Sequence, residues 1–516
     1  MGKSMACVHS VERPMTSKKT AIIIGGGIGG LGTACLLAKG GYDVRLYEKN
    51  EQLGGRVSVF EAKGFRFDMG PSWYLMPDLF EHFFALLGER IEDHLTLTKL
   101  SPSYRIFFQD RETPVDLFSN LEKDIPLFES LEPGSGEKLR AYLQTAANHY
   151  RISTEKIIYK NFDSWLDFFR LDPLKEGRKL NVFQSMHQYV SSRFQSEEIQ
   201  KILQYTLVFL GSSPYNTPAI YNIMSHIDFK MGVFYPQGGI YALIEALERI
   251  GKKNGAQFHV NASVQRILVE QGRAAGVQLE DGTIDRANIV ISNADIHFTE
   301  QRLLPPEGRD HDEAYWNSRV LAPSAFILYL GLKKKVPTLT HHNLIFCKDW
   351  KQNFADIFDR PTWPEDPSYY VCAPSVTDPS IAPVGKENLF VLVPIAAKLP
   401  TTQEARQNYR HKMIQSLEKR FGIEDLEGSI AFERLFCVND FTSRYHSLGG
   451  SALGLAHTLR QTAIFRPNNK SEKVKGLYFV GGNTNPGIGM PMCLVSAELI
   501  YKRLTNDRSA TPLKKL

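Results

Sequence analysis

Five of the six residues from Gly25 to Gly30 are glycine, in the spacing Gly25-x-Gly27-x-x-Gly30 with Ile28 and Gly29 inside it. Glycine at these places permits a tight turn, close approach of a pyrophosphate, and close packing of a helix on a strand. The phosphates would then meet free N–H groups at a helix N-terminus. Glu48 and Lys49 follow 18 and 19 residues past Gly30. An acidic side chain at that place accepts a ribose 2′-hydroxyl and disfavours a 2′-phosphate. The run continues as Glu48-x5-Gly54-Gly55-Arg56. A guanidinium fork there suits a diphosphate, and a simple nicotinamide unit does not need one.

These residues must be held by a βαβ unit. Lys19–Ile24 reads as a strand, the stretch to Lys39 as a helix ended by Gly40-Gly41, and Val44–Glu48 as the next strand. After Tyr235-Pro236-Gln237-Gly238-Gly239, the residues Ile240, Leu243, Ile244, Leu247 and Ile250 form one helical face. Strands are predicted at Phe258–Val260, Ser263–Glu270, Ala274–Leu279, Ile289–Ser292 and Gly476–Val480. Gly481–Pro491 is a broken loop before a helix over Cys493–Arg503. Leu79 to Met231 has mostly helical spacing, and 334–387 is a proline-containing, loop-rich stretch between apolar strands at 321–333 and 388–396. The reading is a discontinuous dinucleotide-binding domain (19–78, 235–298 and 470–505), a helical insert at 79–234 and a substrate domain at 299–469. Residues 1–18 are a disordered extension and 506–516 a tail.

The totals exclude several classes. The net charge of +5, from 61 basic and 56 acidic residues in 516, is no nucleic-acid signature. Six scattered cysteines without a CxxC pair argue against a disulfide framework or zinc site and for a reducing compartment. Ala21–Gly41 is almost uncharged, but its glycines exclude a signal or membrane helix. No metal site is expected: His341 and His342 are adjacent, which does not put both side chains on one face, and His446 and His457 lack ligand-spaced neighbours. No nucleophile motif is present, so no catalytic residue is assigned.

The Glu48–Arg56 run resembles the signature of the flavoprotein group that includes amine oxidases and carotenoid desaturases. Gly64–Trp73, Gly232–Gly239, Ile291–Asp295 and Gly481–Pro491 resemble blocks of bacterial and fungal-type phytoene desaturases. The last block lacks the aspartate usual in amine oxidases. The resemblance, from Thr20 to Leu504, implies an α/β fold: a discontinuous, Rossmann-like FAD domain with a mixed α+β substrate domain and a membrane-contacting helical insert. It implies FAD, bound non-covalently, with Arg56 near the diphosphate and Val264 contacting adenine through its backbone. Gly70, Pro71, Ser72, Trp73, Gly482, Asn483, Gly489 and Met490 would cradle the isoalloxazine. Cys493 is the nearest residue able to tether it.

The implied activity is dehydrogenation of a long isoprenoid polyene such as phytoene, with oxygen or a membrane quinone as the final acceptor. The alternatives are a carotenoid oxygenase or cis–trans isomerase, an amine oxidase, or a prenyl-binding escort protein without catalysis. A cytoplasmic enzyme resting peripherally on a membrane is expected, with homo-oligomers allowed. The apolar run Tyr205–Leu210, with Phe229, Val233, Phe234 and Tyr235, is either core or the lining of a hydrocarbon tunnel. Charges over Lys156–Lys179 alternate in sign and give no anionic-lipid patch. Gly70–Trp73 and Gly481–Pro491 contain no Asp, Glu, His, Lys or Arg, so no single titratable side chain is expected to be indispensable.

Overall fold

A computed structural model describes residues 18–162 and 184–516. The amino-terminal extension and most of the Lys156–Lys179 stretch lie outside the described residues. Glycines and short β-rich runs near both ends build one parallel sheet, in the order Leu477–Phe479, Ile289–Ser292, Thr20–Ile24, Asp43–Tyr47, Gln257–His259. Except for Thr20–Ile24 with Asp43–Tyr47, neighbours in that sheet come from positions more than 180 residues apart, so the sheet is discontinuous in sequence.

The helix Ile28–Lys39 follows the first strand and is buried from Ile28 to Ala38. It lies against the sheet, the helix Tyr241–Lys253 and the helix Met490–Thr505. Contact on several sides explains why its sequence carries no polar face. Tyr241–Lys253 shows the opposite pattern. Its buried residues Leu243, Ile244, Leu247 and Ile250 form one stripe, and its lysines face outward.

A second sheet of seven strands stands across the cavity. Its order is Ile430–Phe436, Ser324–Leu332, Glu387–Ile395, Tyr369–Cys372, His342–Phe346, Tyr104–Phe108, Val115–Leu117. All its pairs are antiparallel except His342–Phe346 with Tyr104–Phe108. Here the mostly helical reading of 79–234 needs correcting. Leu97–Lys99, Tyr104–Phe108 and Val115–Leu117 are strands, and the last two complete this sheet. Tyr104-Arg105-Ile106-Phe107-Phe108 is too short for period alone to separate strand from helix. Its pairing is fixed by distant partners and by the cross-strand ion pair of Arg105 with Asp116, at 2.7 Å.

The loop-rich stretch 334–387 likewise holds two strands, His342–Phe346 and Tyr369–Cys372, and the helix Trp350–Phe358. The prolines lie between those elements and hid them. Helix Gln403–Phe421 and strand Ile430–Phe436 carried no reading from sequence and close the far side of the sheet.

One of the tightest backbone joints in the fold is at Gly30. A Cβ built there would collide with the carbonyl oxygen of Gly25, a backbone atom that cannot step aside. Gly30→Ala should therefore destabilise by at least the about 1–3 kcal/mol of an overpacked core. At Gly282 (φ +88°) a Cβ would meet nothing within 4 Å, so Gly282→Ala should cost only about 1 kcal/mol of backbone strain. Thermal melts of the two variants beside the parent check the ordering.

Candidate active site

The glycine loop closes on the carboxylate expected to follow it. The Gly25 N–H donates to the Tyr47 carbonyl at 2.8 Å, and the Gly26 N–H donates to Glu48 Oε2 at 2.7 Å. Glu48 Oε1 accepts the Asn50 N–H at 2.9 Å. Glu48 is buried and lines the cavity. An ionised carboxylate has about four lone-pair sites, so room remains for a ribose hydroxyl. Lys49 Nζ donates to the Ser443 carbonyl at 3.0 Å, and burial lowers its pKa.

Gly54-Gly55 docks directly on this loop. The Gly54 N–H donates to the Gly26 carbonyl at 2.8 Å, and a Cβ on Gly55 would sit 3.2 Å from Gly27 Cα. Arg56 follows, its Nη2 donating to Ser447 Oγ at 3.1 Å and its guanidinium 5.5 Å from the Tyr445 ring centroid. Its Nε is buried and has no partner. No side chain caps the helix that begins after Gly27. A free guanidinium donor, an open helix N-terminus and a cradle without Cβ atoms are what a bound dinucleotide diphosphate would satisfy.

The other end of the chain meets this cradle through Asn293. A Cβ on Gly27, Gly29 or Gly481 would lie 2.9, 2.6 or 2.8 Å from its side-chain amide. Beyond Gly481, Asn483 Nδ2 donates to Asp295 Oδ2 at 2.9 Å and its Oδ1 accepts the Leu455 N–H at 3.1 Å. Burial raises the Asp295 pKa, opposed by nearby Arg56. Gly489 begins the helix Met490–Thr505 at φ +125°, again without a side-chain cap. Cys493 lies in the first turn, its thiol pushed up to about 11 by burial.

On the facing side, a Cβ on Gly70 would strike the Arg56 carbonyl. Pro71, Ser72 and Trp73 continue the wall, and Trp73 stacks on His342 with centroids 4.2 Å apart at 6°. Val264 borders the far end. All the sequence-predicted residues except Gly30 line one cavity of about 1300 Å³. That exceeds the roughly 300–1,000 Å³ of most small-molecule pockets. The excess is an apolar arm between the large sheet and the helical segment, bounded by Tyr205, Phe209, Met224, Phe346, Trp350 and Phe354. Of the run Tyr205–Leu210, Tyr205 and Val208–Leu210 line the cavity, whereas Phe229, Val233 and Tyr235 are buried core.

Three residues at this site carried no signal in sequence. Arg466 is buried, its pKa lowered to about 10 by that burial, and its Nη2 donates to the Gly482 carbonyl at 2.6 Å. His457 Nε2 accepts the Ile488 N–H at 3.1 Å, while its Nδ1 lies 2.8 Å from the Tyr221 hydroxyl. Burial pushes its pKa well below the usual range, so the ring is neutral. Asp228 sits in the π-turn Ile227–Met231 and accepts from the Tyr104 and Tyr205 hydroxyls at 2.7 and 3.2 Å, both on Oδ2. Burial pushes its carboxyl up to about 7. Lone residues of this kind belong to no local pattern. The histidine reading also needs correcting. A ring nitrogen of His341, one of His342 and Cys372 Sγ lie within 4.8 Å of one another. His341 precedes the strand that His342 begins, so its ring turns back against its neighbour.

Fold and cradle together define an FAD-dependent oxidoreductase. The profile of flavin-containing amine oxidoreductases matches residues 28–499. A carotenoid 3,4-desaturase of Haloarcula japonica is 47% identical, covering 95% of this chain and 99% of its own. A zeta-carotene-forming phytoene desaturase of Myxococcus xanthus is 36% identical, covering 95% and 94%. An oxidoreductase crystal structure from Methanosarcina mazei superimposes with a TM-score of 0.63 at 18% identity, covering 94% of this chain and 100% of that one. It shares the fold. The chain belongs to the carotenoid desaturase family within the flavin-containing amine oxidoreductases, and FAD is its cofactor.

Two outcomes follow from this geometry. Glu48→Ala and Arg56→Ala should each weaken FAD retention by about 10- to 150-fold, the 1.5–3 kcal/mol of a charge-assisted hydrogen bond, measured as flavin occupancy in dilute protein. The second concerns Asp228, whose carboxyl burial pushes up to about 7 from an ordinary value of 3.8. The folded state therefore binds the extra proton, and this stability is present below pH 4 and lost as pH rises through 7. Asp228→Asn removes the loss. Its melting temperature relative to the parent should climb between pH 4 and 7 by the equivalent of a few kcal/mol at most, since each pKa unit is about 1.4 kcal/mol.

Proposed function

We propose that the protein desaturates a long, acyclic isoprenoid polyene of the carotenoid type, drawn from a membrane surface. The observation that carries this reading is the single cavity in which the dinucleotide cradle opens into an apolar arm. The family of its relatives supports it. FAD, when bound, supplies a two-electron acceptor for hydride from a carbon next to a double bond.

The chain's own residues do the remaining work. Trp73, Tyr205, Phe209 and Phe346 hold the hydrocarbon against the Gly70–Trp73 block and keep water out. Neutral His457 fixes the Ile488 N–H, and Arg466 fixes the Gly482 carbonyl, so the loop before Met490 keeps its shape. The proton lost next to a developing cation is already acidic, so a weak acceptor suffices. Asp228 reaches the wall only through Tyr205. In FAD-replete protein, Asp228→Asn should cost less than the about 10²-fold at which a dedicated general base begins. A larger loss together with a vanished limb of the pH–rate profile would identify such a base.

Leu459 and Phe465 are 43% and 41% exposed and line the cavity, with Arg460 and Lys156 exposed beside the same space. No helix among the described residues is long and apolar enough to cross a membrane. An opening rimmed in this way suits peripheral contact with a bilayer, from which the substrate would enter. The final electron acceptor is then oxygen or a membrane quinone. A cytoplasmic site and self-association remain part of this proposal.

Expression in cells that accumulate phytoene or its more desaturated acyclic products, followed by pigment extraction, tests the activity. Products lighter by two hydrogens per step are expected. FAD-replete protein that leaves the whole series unchanged overturns the reading. Flotation with lipid vesicles tests the surface: Leu459→Ser with Phe465→Ser should reduce binding and leave FAD content unchanged.

A further inference from the structure

Behind Trp73 the large sheet gathers three side chains that do not line the main cavity. His342 and Cys372 are Cα partners in the antiparallel pair His342–Phe346 with Tyr369–Cys372, so their side chains share one face. His341, just before that strand, places its ring centroid 4.4 Å from that of His342. All three residues are buried. A ring nitrogen of each histidine and Cys372 Sγ lie within 4.8 Å of one another.

The polar contacts of the two imidazoles are one-sided. His341 Nδ1 meets Thr377 Oγ1 at 2.8 Å, and His342 Nδ1 meets the Tyr370 hydroxyl at 2.6 Å. Both Nε2 atoms are buried without a partner. An unmade hydrogen bond at a buried ring nitrogen is costly, and two side by side need an explanation. A small cavity of about 20 Å³ borders His341 and Cys372, with Asp68, Ser72 and Tyr235 also on its wall. The lower limit for one water is roughly 10–15 Å³, so a single water or a single ion fits beside His341 and Cys372, with His342 just outside that wall.

We propose that His341, His342 and Cys372 bind one thiophilic, imidazole-binding cation, Zn²⁺ or Cu⁺. Two imidazoles and one sulfur are the donor set that favours these ions over Mg²⁺ or Ca²⁺, which take oxygen ligands. Hydroxyl partners on both Nδ1 atoms fix the ring orientations, as outer partners do at known metal sites. Metal–nitrogen and metal–sulfur bonds are about 2.0–2.3 Å. Ligand atoms on one ion therefore stand closer than the 4.8 Å limit seen here, and small side-chain rotations close the gap. The Cys372 thiol gives up its proton on binding. Asp68 on the cavity wall and Asp378 near His341 supply compensating negative charge.

The site would clamp two strands directly beneath the flavin-facing wall, because His342 stacks on Trp73. It does not depend on which polyene the enzyme takes. The modest alternative is one buried water bridging the two Nε2 atoms, and the test separates the two.

FAD-replete protein, purified without metal resin and incubated with Zn²⁺ or, anaerobically, with Cu⁺, is desalted and its metal measured by plasma mass spectrometry. About one equivalent per chain is expected for at least one of the two ions. Cys372→Ser should lower retention by at least tenfold, with flavin content as the check on folding. Should that variant not fold, Co²⁺ added to the parent protein gives the second readout, a thiolate-to-cobalt absorption band. Substoichiometric metal under both conditions with no cobalt band means a bridging water and overturns the proposal. So does unchanged retention in folded Cys372→Ser.

Discussion

Everything at this site depends on close approaches to backbone where no Cβ intervenes. Gly30 lies against the Gly25 carbonyl, Gly55 against Gly27, and Gly27, Gly29 and Gly481 against the Asn293 amide. Asn293 also donates weakly to the Gly25 carbonyl at 3.3 Å. One side chain therefore wedges the first glycine loop and the last glycine block together. The loop and the block lie more than 450 residues from one another along the chain. The parallel sheet can be discontinuous in sequence because this contact fixes its strands where the cofactor sits.

That constraint also explains what was legible. Glycines that must lack a Cβ, a carboxylate that closes on them and an arginine whose fork suits a diphosphate are requirements on residue type at fixed spacing, so Gly25–Gly30, Glu48 and Gly54–Arg56 stand out locally. The helix after Gly239 was legible because only one of its faces is buried. The large sheet was not. Tyr104–Phe108 pairs with His342–Phe346 across more than 230 residues, and nothing in either short run announces the other. Adjacent His341 and His342 defeated a rule about faces that holds only inside a strand. Arg466, His457 and Asp228 act through burial and through distant partners, which composition does not record.

The cavity divides its electrostatics by length. Glu48 and Arg56 sit where ribose and phosphates would lie, with helix N-termini open at both glycine blocks. Further along, burial drives titratable groups on the wall toward their neutral forms, His457 downward, and Tyr205, Tyr221 and Tyr370 upward. Asp228, behind Tyr205, follows the same logic near neutral pH. A charged cofactor and an uncharged hydrocarbon can then share one space without competing for the same walls.

An apolar arm of this kind has few means of reading its occupant chemically. Contacts with a methylene are worth only about 1–3 kcal/mol, and a hydrocarbon polyene offers no polar group for a charged side chain to fix. Under the desaturase reading, position must come from shape, from how far the chain can pass the Gly70–Trp73 block before bulky side chains stop it. Trp73, Tyr205, Phe209 and Phe346 are the rings at that crossing. Trp73 in turn is held by its stack on His342. Any ion clamping His342 to Cys372 would thereby stiffen the one wall against which the reacting carbon has to be measured.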